Sequence, residues 1–120
     1  MTGDQTSWRT KDSDGNVTVS DAASGNRSGK SIHVGRFNYS AGTQKAWLHN
    51  ESGTTSASDT FSYTGTMSST VQHVFAQDTG GGGTGHFLGD LFSLIKIEAT
   101  LSDTLIENTI IPALASRYDI

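Results

Sequence analysis

The sequence predicts an all-β fold, in which two antiparallel sheets pack as a jelly-roll-like β-sandwich and a short helix follows at the C-terminus. Three observations predict it. The 120 residues are rich in Ser, Thr, Gly and Asn, and only 33% are hydrophobic, which suits short strands with one solvated face. Short β-prone runs alternate with turn residues. The C-terminal segment carries apolar residues at helical spacing.

The first two strands are predicted on either side of a tight turn. Ser7–Asp12 and Asn16–Ser20 are β-prone. Asp14 and Gly15 lie between them, and an Asp-Gly pair is a strong hairpin signal because glycine adopts the positive φ that such turns need. Asp21–Lys30 has the composition of a loop. We therefore expect a β-hairpin followed by a polar loop.

The middle of the chain predicts three more strands. Ser31–Asn38 and Gln44–Asn50 show alternating patterns and are joined by a turn at Tyr39–Gly42. Glu51–Ser58 is polar throughout and is interpreted as a loop. Asp59–Thr64, which places two aromatic residues on one face, is interpreted as the next strand.

Two strands are predicted around a glycine-rich segment. Val71–Gln77 is the first, Gly80–Gly85 is interpreted as a flexible loop, and Phe87–Glu98 is the longest apolar strand of the chain. We find no internal repeat and no linker composition between these segments. The chain is therefore assigned to a single domain, 1–120.

The C-terminal helix has a recognisable start. Ser102 can cap the first N–H groups, and Asp103 complements the helix dipole. Pro112 lies inside the pattern and disfavours helical geometry at Ile111, so we expect a kink or two short helical pieces there. We expect the helix to cover one sheet edge. Its predicted apolar face consists of Leu101, Leu105, Ile106, Ile110, Leu114 and Tyr118.

Charge and composition argue against several partners. The formal net charge is −4 and the eight Lys and Arg residues form no run, whereas a nucleic-acid surface needs clustered cations. The absence of Cys excludes disulfides and thiolate metal sites. No segment has the ~20 apolar residues of a membrane span, and the N-terminus lacks a leader pattern. We expect neither nucleic acid nor a membrane as a partner.

No catalytic array is visible, and we expect the protein not to be an enzyme. Glycoside hydrolysis needs two closely placed carboxylates, but Glu51, Glu98 and Glu107 are far apart in sequence, and the last two are interpreted as solvated surface residues. Gly-x-Ser-x-Gly does not occur. The four histidines lack a paired metal signature, although His33 and His49 would be neighbours if their strands were adjacent.

Sugar binding would require an exposed aromatic platform. Trp47 alternates with Lys45 and His49, so these three residues share one face of their strand, and this phase favours exposure of the indole ring. Packing of Trp47 in the core is the alternative. The candidate carbohydrate-binding residues are Trp47, His49, Tyr39 and Tyr63.

The order of several motifs resembles concanavalin A-like, laminin-G-like β-sandwich domains. Trp8–Ser20 is similar to their mid-domain hairpin, Ser31–Phe37 to their His-x-Val-Gly strand, and Gln44–Gly53 to the strand that usually reads Tyr-Val-Asn-Gly. Gly85–Ile120 resembles their closing strand and helix. Two departures are clear. Glu51 follows Asn50 where a glycine is usual, and Asp119 replaces a terminal glycine.

The resemblance implies a lectin-like sandwich whose rim could hold calcium through Asp78 and Asp90. Asp12–Asn16 begins like a calcium loop, but Gly15 is one place early and a plain hairpin turn is the preferred interpretation. No other cofactor is expected.

The motifs of the resemblance begin almost at Met1, so the opening strands of the usual sandwich are expected to be missing. A sandwich without them would expose edges and an apolar face. A compact variant of the fold, strands donated by another subunit or a partner surface could each compensate, and the last two indicate an assembly protein. We therefore expect a homo-oligomer or a larger assembly, such as a capsid. The expected function is a structural protein of a virus or phage particle, as a capsid-decoration or tail-associated component located in the virion. The alternative is an extracellular carbohydrate-binding or adhesion module.

Overall fold

The structure is a computed structural model of the 120-residue chain. It describes residues 5–11, 17–24, 29–38, 40–60, 77–78, 83–84 and 90–120, and it describes side-chain burial within 29–38, 40–60 and 90–120. The chain forms two compact units. The first comprises Met1–Gly65 together with Ala99–Ile120, and the second is Thr66–Glu98.

The first unit begins with the predicted hairpin. Strand β1 (Gln5–Lys11) pairs antiparallel with β2 (Val17–Ser24), and a register irregularity lies between Gln5 and Thr6. The predicted hairpin is confirmed, although its turn lies outside the described residues. The loop predicted from Asp21 onward is wrong for its first four residues, because β2 continues through Ser24.

A three-stranded antiparallel sheet follows, with strand order β3-β4-β5. Its strands are β3 (Ile32–Asn38), β4 (Thr43–Asn50) and β5 (Gly53–Thr60). Positive φ angles of 62° at Gly42 and 112° at Gly53 make the two connecting turns tight. Strands β3 and β4 were predicted.

The loop predicted at Glu51–Ser58 is wrong, since only Glu51 and Ser52 form a turn. Strand β5 is polar because it lies at the edge of the sheet, where nearly all of its side chains are exposed. Ser and Thr residues there lack the alternation of a half-buried strand, although Thr suits β geometry. The polar composition of this segment therefore led to the prediction of a loop where the structure has an edge strand.

The central strand β4 is covered on both faces. Gln44, Ala46 and Leu48 are 0–2% exposed on one face, and Trp47 is 0% exposed on the other. The β1–β2 hairpin contacts β4 and β5. Trp47 lies opposite Val34 of β3 and packs against the C-terminal helix.

The C-terminal helical segment has three parts. Helix α1 (Asp103–Leu105) begins after Ser102, whose Oγ accepts a hydrogen bond from the Leu105 N–H at 3.2 Å. A π-helical turn (Ile106–Ile110) follows, and helix α2 (Ile111–Tyr118) ends the segment. The predicted cap and the predicted interruption of the α-helix are both confirmed.

Pro112 lies at the start of α2, where its missing N–H costs little. The preceding N–H, that of Ile111, bonds to the Ile106 carbonyl in π-helical fashion. Ile111 has helical angles, φ −60° and ψ −49°, although a residue before proline disfavours them. The wider turn accommodates the proline without ending the helix.

The π turn also changes which residues face the sheet. Ile106, Ile111 and Ala115 are buried, whereas Leu105 is 41% exposed. Ile106 and Ile111 are five positions apart, the spacing of a π turn, and an assumed α-helical period therefore chose Leu105 wrongly. Ile106 and Ile111 form the core with Trp47 of the central strand, so the helix packs on the face of the sheet and not at its edge.

The second unit contains one short described strand pair. Strand β6 (Gln77–Asp78) pairs antiparallel with β7 (Gly83–Thr84). Strand β7 falls inside the loop predicted at Gly80–Gly85, which is wrong at those two positions. The strands predicted at Asp59–Thr64 and Val71–Gln77 lie outside the described residues, apart from their outermost parts.

Residues 90–97 belong to no helix, strand, turn or bend. The long strand predicted at Phe87–Glu98 is therefore wrong from residue 90 onward, and 87–89 lie outside the described residues. Five large apolar side chains of this segment are exposed, namely Leu91, Phe92, Leu94, Ile95 and Ile97.

The described part of the chain is mostly antiparallel β with one C-terminal helical segment, as predicted. The packing of two sheets as a sandwich and the single-domain assignment stay predictions. Within the described ranges, no helix is long and apolar enough to cross a membrane.

Candidate functional site

Trp47, the first candidate for a sugar platform, lies under the helix. Its side chain is 0% exposed, and its Nε1 donates a hydrogen bond to Glu107 Oε1 at 2.8 Å. A sugar stacks on an exposed ring face, and in this arrangement Trp47 has none. The alternation of side chains along β4 correctly predicted that Trp47 shares a face with Lys45 and His49. The helix covers that face at Trp47.

Of the other sugar candidates, the structure describes only His49. His49 is half-buried, with Nδ1 and Thr54 Oγ1 hydrogen-bonded at 2.7 Å across the β4–β5 pair. Tyr39 and Tyr63 lie outside the described residues. His33 is paired opposite Leu48, so it lies on the other face of the sheet from His49. The two histidines therefore do not share a site.

The calcium candidates Asp78 and Asp90 belong to the second unit. Asp78 ends strand β6, and Asp90 is exposed at the start of the apolar segment. Among the described residues, no group of three or more His, Asp or Glu side chains could hold a metal ion. The calcium assignment therefore stays a prediction from the resemblance.

The structure instead brings four charged residues together around Trp47, and we call this group the helix clasp: Arg36, Lys45, Asp103 and Glu107. Arg36 and Lys45 lie opposite each other on β3 and β4, while the two carboxylates lie on the first turns of the helical segment. Arg36 binds Asp103 Oδ1 and also donates to the Leu101 carbonyl at 2.8 Å. Lys45 Nζ lies 2.7 Å from Asp103 and 3.3 Å from Glu107.

Both cations of the clasp also lie close to the indole ring. Lys45 Nζ is 4.8 Å from the centroid of Trp47, and Arg36 Cζ is 5.3 Å away. Both distances are within the range of cation–π attraction. Trp47 therefore lies beneath a layer of charge, with its N–H satisfied and its ring contacted by cations.

The electrostatics of the clasp favour its ionised state. Hydrogen bonding from Lys45, supported by Arg36, lowers the pKa of Asp103. Hydrogen bonds from Trp47 and Lys45 lower the pKa of Glu107. Burial acts to lower the pKa of Lys45, but its bonds to the two carboxylates outweigh burial and raise it. At neutral pH all three groups are charged, and together with the Arg36 guanidinium their charges balance.

A third cation fixes the other end of the helix. Lys30 Nζ donates to the Tyr118 carbonyl at 2.8 Å. The C-terminal carbonyls of a helix lack internal partners and carry negative partial charge, so a lysine is favourable there. Three of the cations that are scattered in the sequence therefore meet the helical segment at its two ends.

A polar cleft opens beside the clasp, with a volume of about 420 Å³. Its lining mixes both signs of charge and the edge of β5. The lining residues are Arg36, Thr43, Gln44, Lys45, Ser58, Asp59, Thr60 and Asp103. Because Asp103 already pairs with both cations, the cleft offers little net charge to an ionic ligand.

The clasp is poorly suited to acid–base catalysis. Glycosidases need one carboxylic acid with a raised pKa beside an ionised carboxylate. Asp103 and Glu107 both have lowered pKa values and share one ammonium group. The arrangement instead attaches a helix to a sheet.

Sequence reasoning missed the clasp because its members are distant in the chain. The contacts join residues 58 to 67 positions apart. Glu107 was interpreted as a solvated surface residue, and its side chain is indeed 41% exposed, but the prediction missed that its carboxylate accepts the indole N–H. One signal was present, since Asp103 and Glu107 are four positions apart near the start of a helix.

Comparison with family models, with curated proteins and with solved structures gave no match for this chain.

Proposed function

We propose that this chain is a non-enzymatic structural subunit of a larger assembly, and that the assembly is a virus or phage particle, in which it serves as a capsid-decoration or tail-associated component. One observation carries the proposal: an exposed apolar segment at Leu91–Ile97. The side chains of Leu91 and Ile97 are each 51% exposed, Ile95 is 60% exposed, Leu94 64% and Phe92 68%.

Exposure on this scale favours association. Single exposed hydrophobic residues are common on protein surfaces, but contiguous apolar patches mark interaction sites. Five such side chains lie within seven consecutive residues here. Subunits of a particle can cover such segments for one another, because each copy meets identical neighbours. A homo-oligomeric or particle-bound state follows from the proposal.

The remaining polar features support a structural role. The helix clasp satisfies its own charges and holds the helix to the sheet, and Trp47 is enclosed beneath it. Neither feature requires a substrate. An extracellular carbohydrate-binding or adhesion module, the alternative from the sequence, would need another aromatic platform than Trp47.

We further propose the lectin-like two-sheet sandwich as the fold of this subunit. In support, the β1–β2 hairpin contacts β4 and β5, while the helix lies over Trp47 on one face of the three-stranded sheet. The near-complete burial of Ala46 and Leu48 requires cover on the opposite face. A hairpin packed there would supply it.

The test is the assembly state of the full chain. Native mass measurement and negative-stain electron microscopy should show multimers or regular particles at micromolar concentration. The variant Leu94→Ser should shift the population toward monomer, while the control Thr104→Ser, at an exposed helix position, should not. A monodisperse monomer would contradict the proposal. Binding to a glycan array that survives Trp47→Phe would favour the carbohydrate-binding alternative.

A further inference from the structure

The exposed segment 90–98 has a pattern that is complementary to itself. Its sequence is Asp-Leu-Phe-Ser-Leu-Ile-Lys-Ile-Glu. Two copies laid antiparallel, with Ser93 opposite Ser93, place Asp90 opposite Lys96. In the same register Leu91 meets Ile95, and Phe92 meets Leu94, each twice because of the two-fold symmetry. Every apolar residue from 91 to 95 then faces another apolar residue, and each acidic residue at position 90 faces a lysine.

We propose that two copies of this chain pair as antiparallel strands through residues 90–96, with the two-fold axis at Ser93. The inference rests on the proposed function, because it names the partner that covers the exposed segment as a second copy of the chain. Residues 90–97 are unbent and belong to no helix or strand. A segment outside the helices and strands of its own chain can pair as a strand with a second copy, as edge strands do.

Charge selects this register over its neighbours. A shift of the axis to Leu94 would place Asp90 opposite Glu98, and Phe92 opposite Lys96. A parallel, in-register pair would place each Lys96 beside its copy. Like charges directly opposite each other destabilise a sheet, whereas opposite charges contribute about 0.2–1 kcal/mol per pair. The register centred on Ser93 combines two opposite-charge pairs with matched apolar neighbours.

Lys96 already contacts Glu98 within one chain, at 3.3 Å between Nζ and Oε1. The two side chains are 71% and 84% exposed. An ion pair as exposed as this one contributes little to stability, so Lys96 can turn to Asp90 of a second copy at small cost. A shift of the axis to Ile97 would instead pair Lys96 with Glu98 between copies, and the experiment below separates the two registers.

Charge reversal on the full chain tests the pairing, with the dissociation constant measured by sedimentation equilibrium. Lys96→Asp places two like-charged pairs in the interface and should weaken dimerisation by about tenfold. Asp90→Lys should do the same. The double variant Asp90→Lys with Lys96→Asp should recover the wild-type affinity to within about threefold. Because these side chains are exposed, far-ultraviolet circular dichroism should show unchanged folding in every variant.

Glu98→Lys is the matched control, since it alters the net charge as much as Asp90→Lys does. Combined with Lys96→Asp it should not restore dimerisation. The proposed register would be wrong if Glu98→Lys restored dimerisation of the Lys96→Asp variant, or if no charge reversal changed the dissociation constant. If the chain forms particles but the charge reversals do not change the dissociation constant, the proposed pairing is wrong and the proposed function is still supported. A rescued dimer would support the pairing, whereas a monodisperse wild-type monomer would contradict both the pairing and the proposed function.

Discussion

Strand β4 and the segment Leu91–Ile97 both carry large apolar side chains and are both predicted as strands from the sequence, yet these side chains have opposite environments. In β4, the residues Gln44, Ala46, Trp47 and Leu48 are 0–2% exposed. In Leu91–Ile97, five large apolar side chains are 51–68% exposed. The more hydrophobic stretch is the more exposed one.

The difference lies in what covers each stretch. Strand β4 has neighbours on both sides in its sheet and is buried on both faces, with the helix packed on Trp47. Hydrophobic residues drive burial only where another element supplies a matching surface. Apolar composition therefore indicates that a stretch needs a partner, and for the second stretch we propose another copy of the chain.

The largest expected effect comes from opening the core over β4. Trp47→Ala removes the largest of the fully buried side chains whose burial the structure describes, together with the hydrogen bond to Glu107. We expect the free energy of unfolding to fall by about 3–5 kcal/mol, measured by urea denaturation. Trp47→Phe keeps a ring and should lose less. A loss below about 1 kcal/mol for the alanine variant would mean that Trp47 is not enclosed as described.

A matched pair of leucines compares the two stretches directly. Leu48 is 2% exposed and Leu94 is 64% exposed. Leu48→Ala should cost about 2–4 kcal/mol, whereas Leu94→Ala should change the stability of the monomer by less than about 0.5 kcal/mol. Both are measured by thermal and urea unfolding at low protein concentration. Equal losses of unfolding free energy in the two variants would show that 91–97 is covered within the monomer, and β4 and 91–97 would then not differ in burial.

Acid should weaken the covered region through the helix clasp. Lys45, with support from Arg36, lowers the pKa of Asp103 in the folded state below its ordinary value of 3.8. The stabilisation is therefore present above that value and is lost as pH falls through the folded pKa. Asp103→Asn should cost about 0.5–1 kcal/mol at pH 7, since these groups are partly exposed and screened.

That cost should shrink as the pH falls from 7 through the folded-state pKa of Asp103, and it should also shrink in 1 M salt. Unfolding curves of the wild type and Asp103→Asn across this pH range provide the measurement. Asp59→Asn, an exposed carboxylate on β5 with no cation partner among the contacts described, serves as control. A difference between wild type and Asp103→Asn that is independent of pH would argue against an ionised clasp.

The smallest expected effect is an increase in folding stability from a substitution at the C-terminal end of helix α2. Asp119 has φ 55° and ψ 63°, a left-handed conformation that glycine adopts without steric cost. Asp119→Gly should stabilise the fold by about 0.5 kcal/mol, visible as a higher melting temperature. Arg117→Gly, inside α2, should instead destabilise by up to about 1 kcal/mol. Destabilisation by Asp119→Gly would mean that its side chain has a role beyond this geometry.

Local signals predicted the elements that depend on neighbours in sequence. The Asp14-Gly15 pair indicated the β1–β2 hairpin, Ser102 the helix start and Pro112 the interrupted α-helix. These signals act over a few residues through turn geometry and capping. The resemblance led us to expect a glycine at position 119, and Asp119 is the residue at which the helix ends in the left-handed conformation.

The sequence by itself determined where the β1–β2 hairpin, β3, β4 and the C-terminal helix lie, and that Trp47 shares a face with Lys45. The tertiary structure decided which of these surfaces is covered. It placed Glu107 and Asp103 over Trp47, it made polar β5 an edge strand, and it left Leu91–Ile97 exposed. The physical reason is that turns and caps form within a few residues, whereas burial and charge pairing require surfaces that the fold brings together from distant positions.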